Sequence, residues 1–328
     1  MIEGGAASVT MKNPIRNDIK KREDMKHKML YKSRTKPKEL TILEILNQRM
    51  TLKQEEQRRY SNLKKGFDGE VQFDSLTEKL QCECLILNDL LFTQNHTTFQ
   101  LDSLIISHGK IHLYDVKNHS GDYYYEAGHI YNNAGRKLNN PLHQMERSEV
   151  LLQQLLSSLG HHYLISPSLL FINPSFTMYQ APRDKPIIYP TQVKAHLKQL
   201  NHAPSKNTKQ DIQLADQLIA HHQTELDFAQ TPPFSYQTLQ KGIPCFKCHS
   251  FFKPTSNKSF FCEVCGHTED VSSAVIRNVK QFKLLFPHEK IKSLIISDWC
   301  AVVKEQRVRN ILTQHFKKIG HHRWTYFE

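Results

Sequence analysis

The chain has 328 residues, 39% of them apolar, which is enough for two or three domains with ordinary hydrophobic cores. A net charge of +12 and a pI near 9.3 favour a polyanionic partner, nucleic acid before membrane, since no basic amphipathic helix stands out. The first residues are polar and then strongly charged, and no apolar run is long enough to span a bilayer; this argues against a signal peptide and a membrane anchor and predicts a soluble, cytoplasmic protein.

The charge is unevenly placed. Residues 1–65 carry 17 Lys+Arg against 8 Asp+Glu and residues 241–328 carry 15 against 7, whereas residues 66–120 carry 3 against 8. An acidic centre between basic ends fits a metal site flanked by nucleic-acid-binding segments, and it also fits plain solubility. Seven cysteines, four of them in C-x-x-C pairs, point to metal binding instead of a disulfide framework.

Residues 1–39 are Lys/Arg-rich with little periodicity and read as a mobile basic segment, with Met25 and Met29 as alternative starts. Leu40–Met50 has helical apolar spacing, and Thr51–Lys65 reads as a charged second helix, or the continuation of the first, with Tyr60 and Leu63 inward. Gly66–Leu80 is a third helical stretch. Gly69 within it costs about 1 kcal/mol against alanine, which a close backbone-to-backbone approach would explain. Cys84–Leu90 is a first strand.

Leu101–Asn118 reads as a hairpin turning at His108–Gly109. With that turn Ser107 pairs with Lys110, and counting back sets Asp102 opposite Asp115. Side chains alternate along a strand, so Asp115 and Lys117 share a face, and cross-strand partners share it too. Two acids and a lysine on one side of a small sheet suit metal-assisted phosphodiester hydrolysis: the acids hold the ion, and the lysine steadies the nucleophile or the developing charge. The alternative is a solvated sheet face.

Asp122–Ile130 is another short hairpin. Asn140–Gly160 is the best-marked helix, with Asn140 as cap, Pro141 in the first turn, Gly160 at the end and an apolar face from Met145 to Leu159. Ser168–Ile172 is a buried strand. Helix, three strands, helix, strand makes a compact α/β unit. Further on, Lys185–Pro190 is a short strand or loop, and Thr191–Leu200 and Lys209–Glu225 are helices. His221 and His222 tend the last carbonyls of the second, and Pro232–Pro233 marks a domain boundary.

Cys245-x2-Cys248-x13-Cys262-x2-Cys265 is the strongest single motif. Four thiolates in two paired turns predict a closed, structural Zn²⁺ site in a zinc ribbon, wrapped by Phe246, Phe251, Phe252, Phe260 and Phe261, with a redox dithiol as the alternative. His249 and His267 read as bystanders, with replacement of a cysteine ligand by either one as the alternative. Ser272–Glu328 resembles a winged helix-turn-helix. Its three helices are Ser273–Leu285, Lys292–Ala301 with Leu294, Ile295, Trp299 and Cys300 inward, and Lys304–Phe316. The third helix offers Lys304, Arg307, Arg309, Asn310 and Gln314 to a DNA groove, and Lys317–Tyr326, with Arg323, would form the wing. A solvated basic helix in a protein-binding domain is the alternative. Cys82, Cys84 and Cys300 read as core residues.

Five short motifs occur in order: G-x-x-G-E at Gly66–Glu70, Q-L-D at Gln100–Asp102, G-K-I at Gly109–Ile111, D-V-K-N at Asp115–Asn118 and N-P-x-x-Q at Asn140–Gln144. In this order and spacing, residues 66–175 resemble the nuclease-related domain (NERD) of bacterial and some plant proteins. The resemblance implies the αβββαβ core of the PD-(D/E)XK, or restriction-endonuclease-like, nucleases. It implies Glu70 as the helix acid, Asp102 and Asp115 as strand acids, Lys117 as the catalytic lysine and Gln144 as a supporting glutamine. NERD proteins usually have glutamate where this chain has Asp115, which keeps the charge and shortens the reach by one methylene. Catalytic Mg²⁺ or Mn²⁺ would then be held by Asp102, Asp115 and the Val116 carbonyl, with Glu70 bound directly or through water.

The domain reading is a basic segment at 1–39, a NERD-like domain with helical extensions at 40–230, a zinc ribbon at 241–270 and a winged-helix-like domain at 271–328. The expected function is metal-dependent hydrolysis of DNA by the NERD-like core, targeted by the zinc ribbon and winged helix. A non-catalytic DNA-binding adaptor and an RNA-directed nuclease are the alternatives.

Overall fold

Two-residue turns fold the middle of the chain into a three-strand meander. Asn95 and His96 (φ 49° and 59°) and His108 and Gly109 (φ 56° and 69°) all take the left-handed conformation that the tightest hairpin turns require. They join β2 (Leu85–Gln94), β3 (Thr97–Ser107) and β4 (Lys110–Lys117). Ser107 pairs with Lys110, as the His108–Gly109 turn predicts. β2 and β3 run further than the apolar pattern implies, because the polar Asn95–His96 pair is itself a turn.

The structure is a computed structural model that describes residues 30–203, 206–224, 231–255, 257–321 and 324–328. β1 (Leu30–Lys32) adds parallel to β2, while β7 (Leu164–Phe171) and β9 (Ile187–Ile188) extend the far side in parallel, giving the order β1-β2-β3-β4-β7-β9. Helix α1 is Lys38–Arg49, α2 is Gln54–Thr77 and α3 is Pro141–Ser158. The two helices expected over 51–80 are one, α2. After it the order is strand, strand, strand, helix, strand, as expected, with the hairpin β5 (Gly121–Glu126) and β6 (His129–Asn132) inserted before α3. β8 (Phe176–Tyr179) completes a second sheet, β6-β5-β8.

Both faces of the large sheet are covered. α3 and α5 (Lys209–His221) bury Leu152, Leu156, Leu214 and Leu218 against Leu87, Leu104 and Leu113. α2 and α4 (Val193–His202) bury Phe73, Leu197 and Leu200 against Ile86, Ile105 and Val116. The alternation breaks once in each of two neighbouring strands. Leu87 and Leu90 bury in the same core on either side of Asp89, whose φ is 57°, and Leu101 and Leu104 do so on either side of Asp102. Because the breaks face each other, the pairing resumes in register. Two acids therefore stand at the one place where β2 and β3 both depart from regular pleating.

The described chain divides into two units: residues up to Thr35 with Lys65–Leu226, and Lys36–Lys64 with Asp227–Glu328. The reading of 40–230 as one domain thus differs from the structure. Ile42, Ile45 and Leu46 of α1 bury with Val275, Val279 and Phe282 of α6 (Val271–Leu285) in the second unit. Arg49 is buried there too, donating from Nη1 to the Gln240 carbonyl at 2.8 Å and from Nη2 to Asn278 Oδ1 at 2.7 Å, with its guanidinium 3.9 Å from the Trp299 ring centroid.

In the second unit β10 (Ser259–Phe261) and β11 (Thr268–Asp270) form an antiparallel pair. Three helices, α6, α7 (Ser293–Cys300) and α8 (Glu305–His315), precede the pair β12 (Lys318–Ile319) and β13 (Tyr326–Phe327), where Phe327 also bridges to Ile291. Two expectations are corrected here. Leu294 is 68% exposed and Ile296 is the inward residue, because Ile296 lies three and four residues before the buried Trp299 and Cys300 and so shares their helix face, which Leu294 does not. Of the five phenylalanines, only Phe252 and Phe260 are buried, stacked at 4.8 Å; Phe246 and Phe261 face solvent. Much of the remainder of their core comes from the helices, joined by Cys245, Cys262, Ile243 and Phe327. No described helix is long and apolar enough to cross a membrane.

Candidate functional site

β4 lies between β3 and β7, so its end is held on both sides. Extending the register from Ser103↔Tyr114 sets Asp102 opposite Asp115. Lys117 Nζ is 2.6 Å from Asp115 Oδ1 and donates to Gln144 Oε1 at 3.3 Å. Gln144 lies in the first turn of α3, whose N-terminus is set by the Asn140 side chain accepting from the Leu142 N–H at 3.1 Å. Asp102 Oδ2 accepts from the Val116 N–H at 2.8 Å. Within a strand the N–H and C=O of one residue point to the same side, so the Val116 carbonyl is directed towards Asp102 as well. Asp102 and Asp115 open onto a small cleft with Gln100 and Ser148.

Glu70 is held differently. Arg34, just beyond β1, reaches Glu70 Oε2 with Nη1 at 2.6 Å, Asp74 Oδ2 with Nε at 2.8 Å and the Asp102 carbonyl with Nη2 at 2.7 Å. The Arg34 side chain is 3% exposed. This residue falls in the segment read as mobile and basic; residues 1–29 of that segment lie outside the described residues, while Leu30–Lys32 form β1 and Lys32 Nζ donates to the Asn88 and Asp89 carbonyls. Nothing in the composition of 1–39 sets Arg34 apart from its neighbours.

Gly69 and Asn118 tie two of the sequence motifs together. A Cβ on Gly69 would meet Asn118 Cβ at 2.5 Å, so the close approach is between helix backbone and a side chain, not backbone to backbone. Asn118 donates from Nδ2 to the Lys65 carbonyl at 2.7 Å and accepts from Asn173 Nδ2 at 2.9 Å. That locks α2 to the end of β4, next to Lys117. Of the paired histidines, His221 Nδ1 meets the Gln217 carbonyl of its own helix, whereas His222 Nδ1 accepts from the Leu91 N–H of β2 instead of tending the helix end.

The electrostatics follow from burial. Glu70 is pushed up to about 7 by burial and then by the like charge of Asp102, with Arg34 opposing. Asp115 is raised to about 6 by burial and by Asp102, against the pull of Lys117. Burial works against the Lys117 charge, but Asp115, Asp102 and Glu70 together hold its pKa above the ordinary lysine value. Two neighbouring carboxylates incompletely balanced by Lys117 would suit a divalent cation, so Asp102 with Asp115 could hold one. Glu70, held by Arg34, does not join them: among the described residues the four cysteines alone form a group of three or more potential ligands within 4.8 Å of one another.

Both acids have folded pKa values above their ordinary 4.5 and 3.8. Their ionisation therefore opposes folding, and metal-free stability is expected to fall between about pH 4 and pH 7 from this source. A divalent cation held by Asp102 and Asp115 would reverse the preference for Asp115. The rise in thermal midpoint produced by Mn²⁺ should thus be larger at pH 8 than at pH 5.5. An equal or smaller rise at pH 8 counts against cation binding by Asp115 and Asp102.

The cysteines sit on two matching turns. The Cys245 and Cys262 N–H groups donate to the carbonyls of Ser250 and His267, each at 2.8 Å. The His249 and Gly266 N–H groups return to the Cys245 and Cys262 carbonyls at 3.0 and 2.9 Å, and both residues have left-handed backbones (φ 65° and 70°). Sγ–Sγ distances are 3.7 Å for Cys245–Cys265 and 3.4 Å for Cys248–Cys262. Tetrahedral Zn–S bonds of about 2.3 Å require sulfurs about 3.8 Å apart, so this cluster could hold zinc. Neither His249 nor His267 belongs to the ligand group.

On α8, Arg309, Asn310 and Gln314 are exposed, as is Lys304 at its N-cap; Arg307 is half-buried and donates to the Asn257 carbonyl at 2.9 Å. Arg309 pairs with Glu305 at 3.0 Å. Arg323 lies outside the described residues.

Residues 65–172 match the family model of the nuclease-related domain, NERD. No curated protein and no solved structure matches the chain.

Proposed function

We propose that this protein is a metal-dependent nuclease that hydrolyses DNA phosphodiester bonds in the cytoplasm, with its second unit supplying nucleic-acid affinity. The observation that carries the reading is the Asp102–Asp115–Lys117 arrangement at the end of β4, inside the region that matches the nuclease-related domain. Asp102, Asp115 and the Val116 carbonyl would hold Mg²⁺ or Mn²⁺, which when bound stabilises charge at the scissile phosphate and lowers the pKa of a coordinated water. Lys117 directs its ammonium at the attacking water or a phosphate oxygen, and Gln144 keeps that ammonium aimed. Water adds to phosphorus as the P–O bond to the leaving sugar breaks, leaving a phosphate monoester and a hydroxyl end. The exposed Lys304, Arg309, Asn310 and Gln314 suit a DNA groove, with Arg307 and Arg323 completing the expected set. The zinc site holds the ribbon beside them in the same unit.

One observation favours a second reading. The Arg34 ion pair with Glu70 keeps the third acid away from the other two, as it would in a DNA-binding adaptor that retains the fold without cutting. An RNA substrate is a further outcome of the same test. Labelled linear and circular DNA, with an RNA control, are incubated with Mg²⁺ or Mn²⁺ and with wild-type protein or the Asp115→Ala/Lys117→Ala double variant. The nuclease reading expects cutting that falls about a thousandfold or more in the variant while DNA binding persists. Binding without cutting by either protein establishes the adaptor.

A further inference from the structure

The second sheet carries a row of aromatic rings that the hydrolytic reading leaves unused. Register sets Tyr124 of β5 directly beside Tyr131 of β6 on one side and Tyr179 of β8 on the other, and Lys137 bridges to Tyr131 at the end of the row. Strand alternation decides which way the row faces. Tyr123, Tyr125 and Met178 pack on the core formed by Leu142, Met145 and Phe176, so Tyr124 lies on the opposite face. The Tyr124 and Tyr131 rings are stacked at 5.2 Å and 13°, and Tyr179 is 56% exposed.

We propose that this row is a stacking platform for unpaired bases and that the substrate is a single-stranded polynucleotide, DNA or RNA, led across it to the site at the end of β4. The proposal rests on the nuclease reading for what happens after binding. Flat π faces accept any base but need it unstacked from a partner, which a duplex does not offer. The charges on the face agree. Asp122 and Glu126 project from β5 on the same side as Tyr124 and would repel phosphates laid along the row, so it suits bases instead of backbone. Exposed Lys137 and the neighbouring Arg136 offer phosphate contacts at one end only.

The platform is also mechanically joined to the candidate site. Three residues separate Lys117 at the end of β4 from the start of β5. The β5–β6 turn is tied to α3, because Asn140 donates from Nδ2 to the Gly128 carbonyl at 2.8 Å, and the same helix presents Gln144 to Lys117. The buried face of the sheet rests on that helix through Leu142 and Met145.

The test uses the full chain in EDTA, so that binding is read without cleavage. Fluorescence anisotropy is measured with labelled dT20, rU20 and a 20-base-pair duplex. Tyr124→Ala/Tyr179→Ala is expected to weaken single-strand binding about tenfold or more and to leave duplex binding within about twofold. Tyr124→Phe/Tyr179→Phe keeps the π faces and should bind like wild type. Photocrosslinking with a 5-iodouracil oligonucleotide should label the Tyr124 or Tyr179 peptide, which keeps the test decisive should the alanine variant fold poorly. The proposal is overturned if no crosslink maps to these peptides, if the alanine variant loses duplex and single strand equally, or if a folded alanine variant loses neither. The dT20 and rU20 arms tell which sugar is preferred. Selective single-strand binding without metal-dependent cutting would leave the platform standing and remove the nuclease.

Discussion

Loss of the four-cysteine site should destabilise the second unit more than any other single change in the chain. Structural zinc sites of this kind contribute on the order of 10–16 kcal/mol of apparent binding free energy, and most of it is realised only in the folded state. Cys245 and Cys262 are themselves buried members of the unit's core, alongside Phe252, Phe260 and Trp299. The expected results are one zinc per chain by elemental analysis and, on Co²⁺ substitution, the visible bands of a tetrahedral tetrathiolate. Cys262→Ser or a strong chelator should lower the urea midpoint by at least about 1 M, equivalent to a few kcal/mol at typical slopes. Trp299 is wholly buried in the same core, so its emission reports the transition. A chain that purifies without metal and unfolds identically with and without chelator would mean that the thiols serve another purpose.

Arg34→Ala is expected to cost about 3–5 kcal/mol, because it leaves buried carboxylates without their guanidinium. Glu70 and Asp74 side chains are only 20% and 11% exposed, and the Asp102 carbonyl loses a donor as well. Lysine is a poor substitute: a point charge cannot reach Glu70 and Asp74 together as the planar fork does, so Arg34→Lys should recover only part of the loss. The sign of the pH effect follows from Glu70. Its carboxyl is raised to about 7 even with Arg34 present, so in Arg34→Ala acidification towards pH 5.5 should restore stability by neutralising it. The variant should also gain more from Mn²⁺ than wild type, since Glu70 is released towards Asp102 and Asp115. Urea midpoints at two pH values, with and without Mn²⁺, give all three readings. Stability unchanged at pH 8 would show that these ion pairs are solvated and worth little.

The two predictions sit at opposite ends of what could be read from the chain alone. The cysteine site is local: each pair closes within five residues, and the left-handed His249 and Gly266 follow the second cysteine of each turn. Arg34 is not local. Its partners lie 36, 40 and 68 residues away, and only the parallel pairing of β1 with β2 brings it to them. Asp89 is a similar case, since a residue with φ 57° opposite Asp102 follows from how two strands meet and not from either strand's pattern.

By itself the sequence determined the elements whose causes are short-range. The His108–Gly109 turn set the register that brings Asp102 opposite Asp115, alternation along β4 put Lys117 on the face of Asp115, and the Asn140 cap set where the helix bearing Gln144 begins. Spacing alone paired the cysteines. Only the tertiary structure decided which core each apolar face joins, because hydrophobic burial is non-directional and Ile42, Ile45 and Leu46 would fill any core of matching shape. It likewise decided that Arg34 keeps Glu70 from the other acids, and that three tyrosines from separate strands form one row, since cross-strand neighbours are set by long-range register.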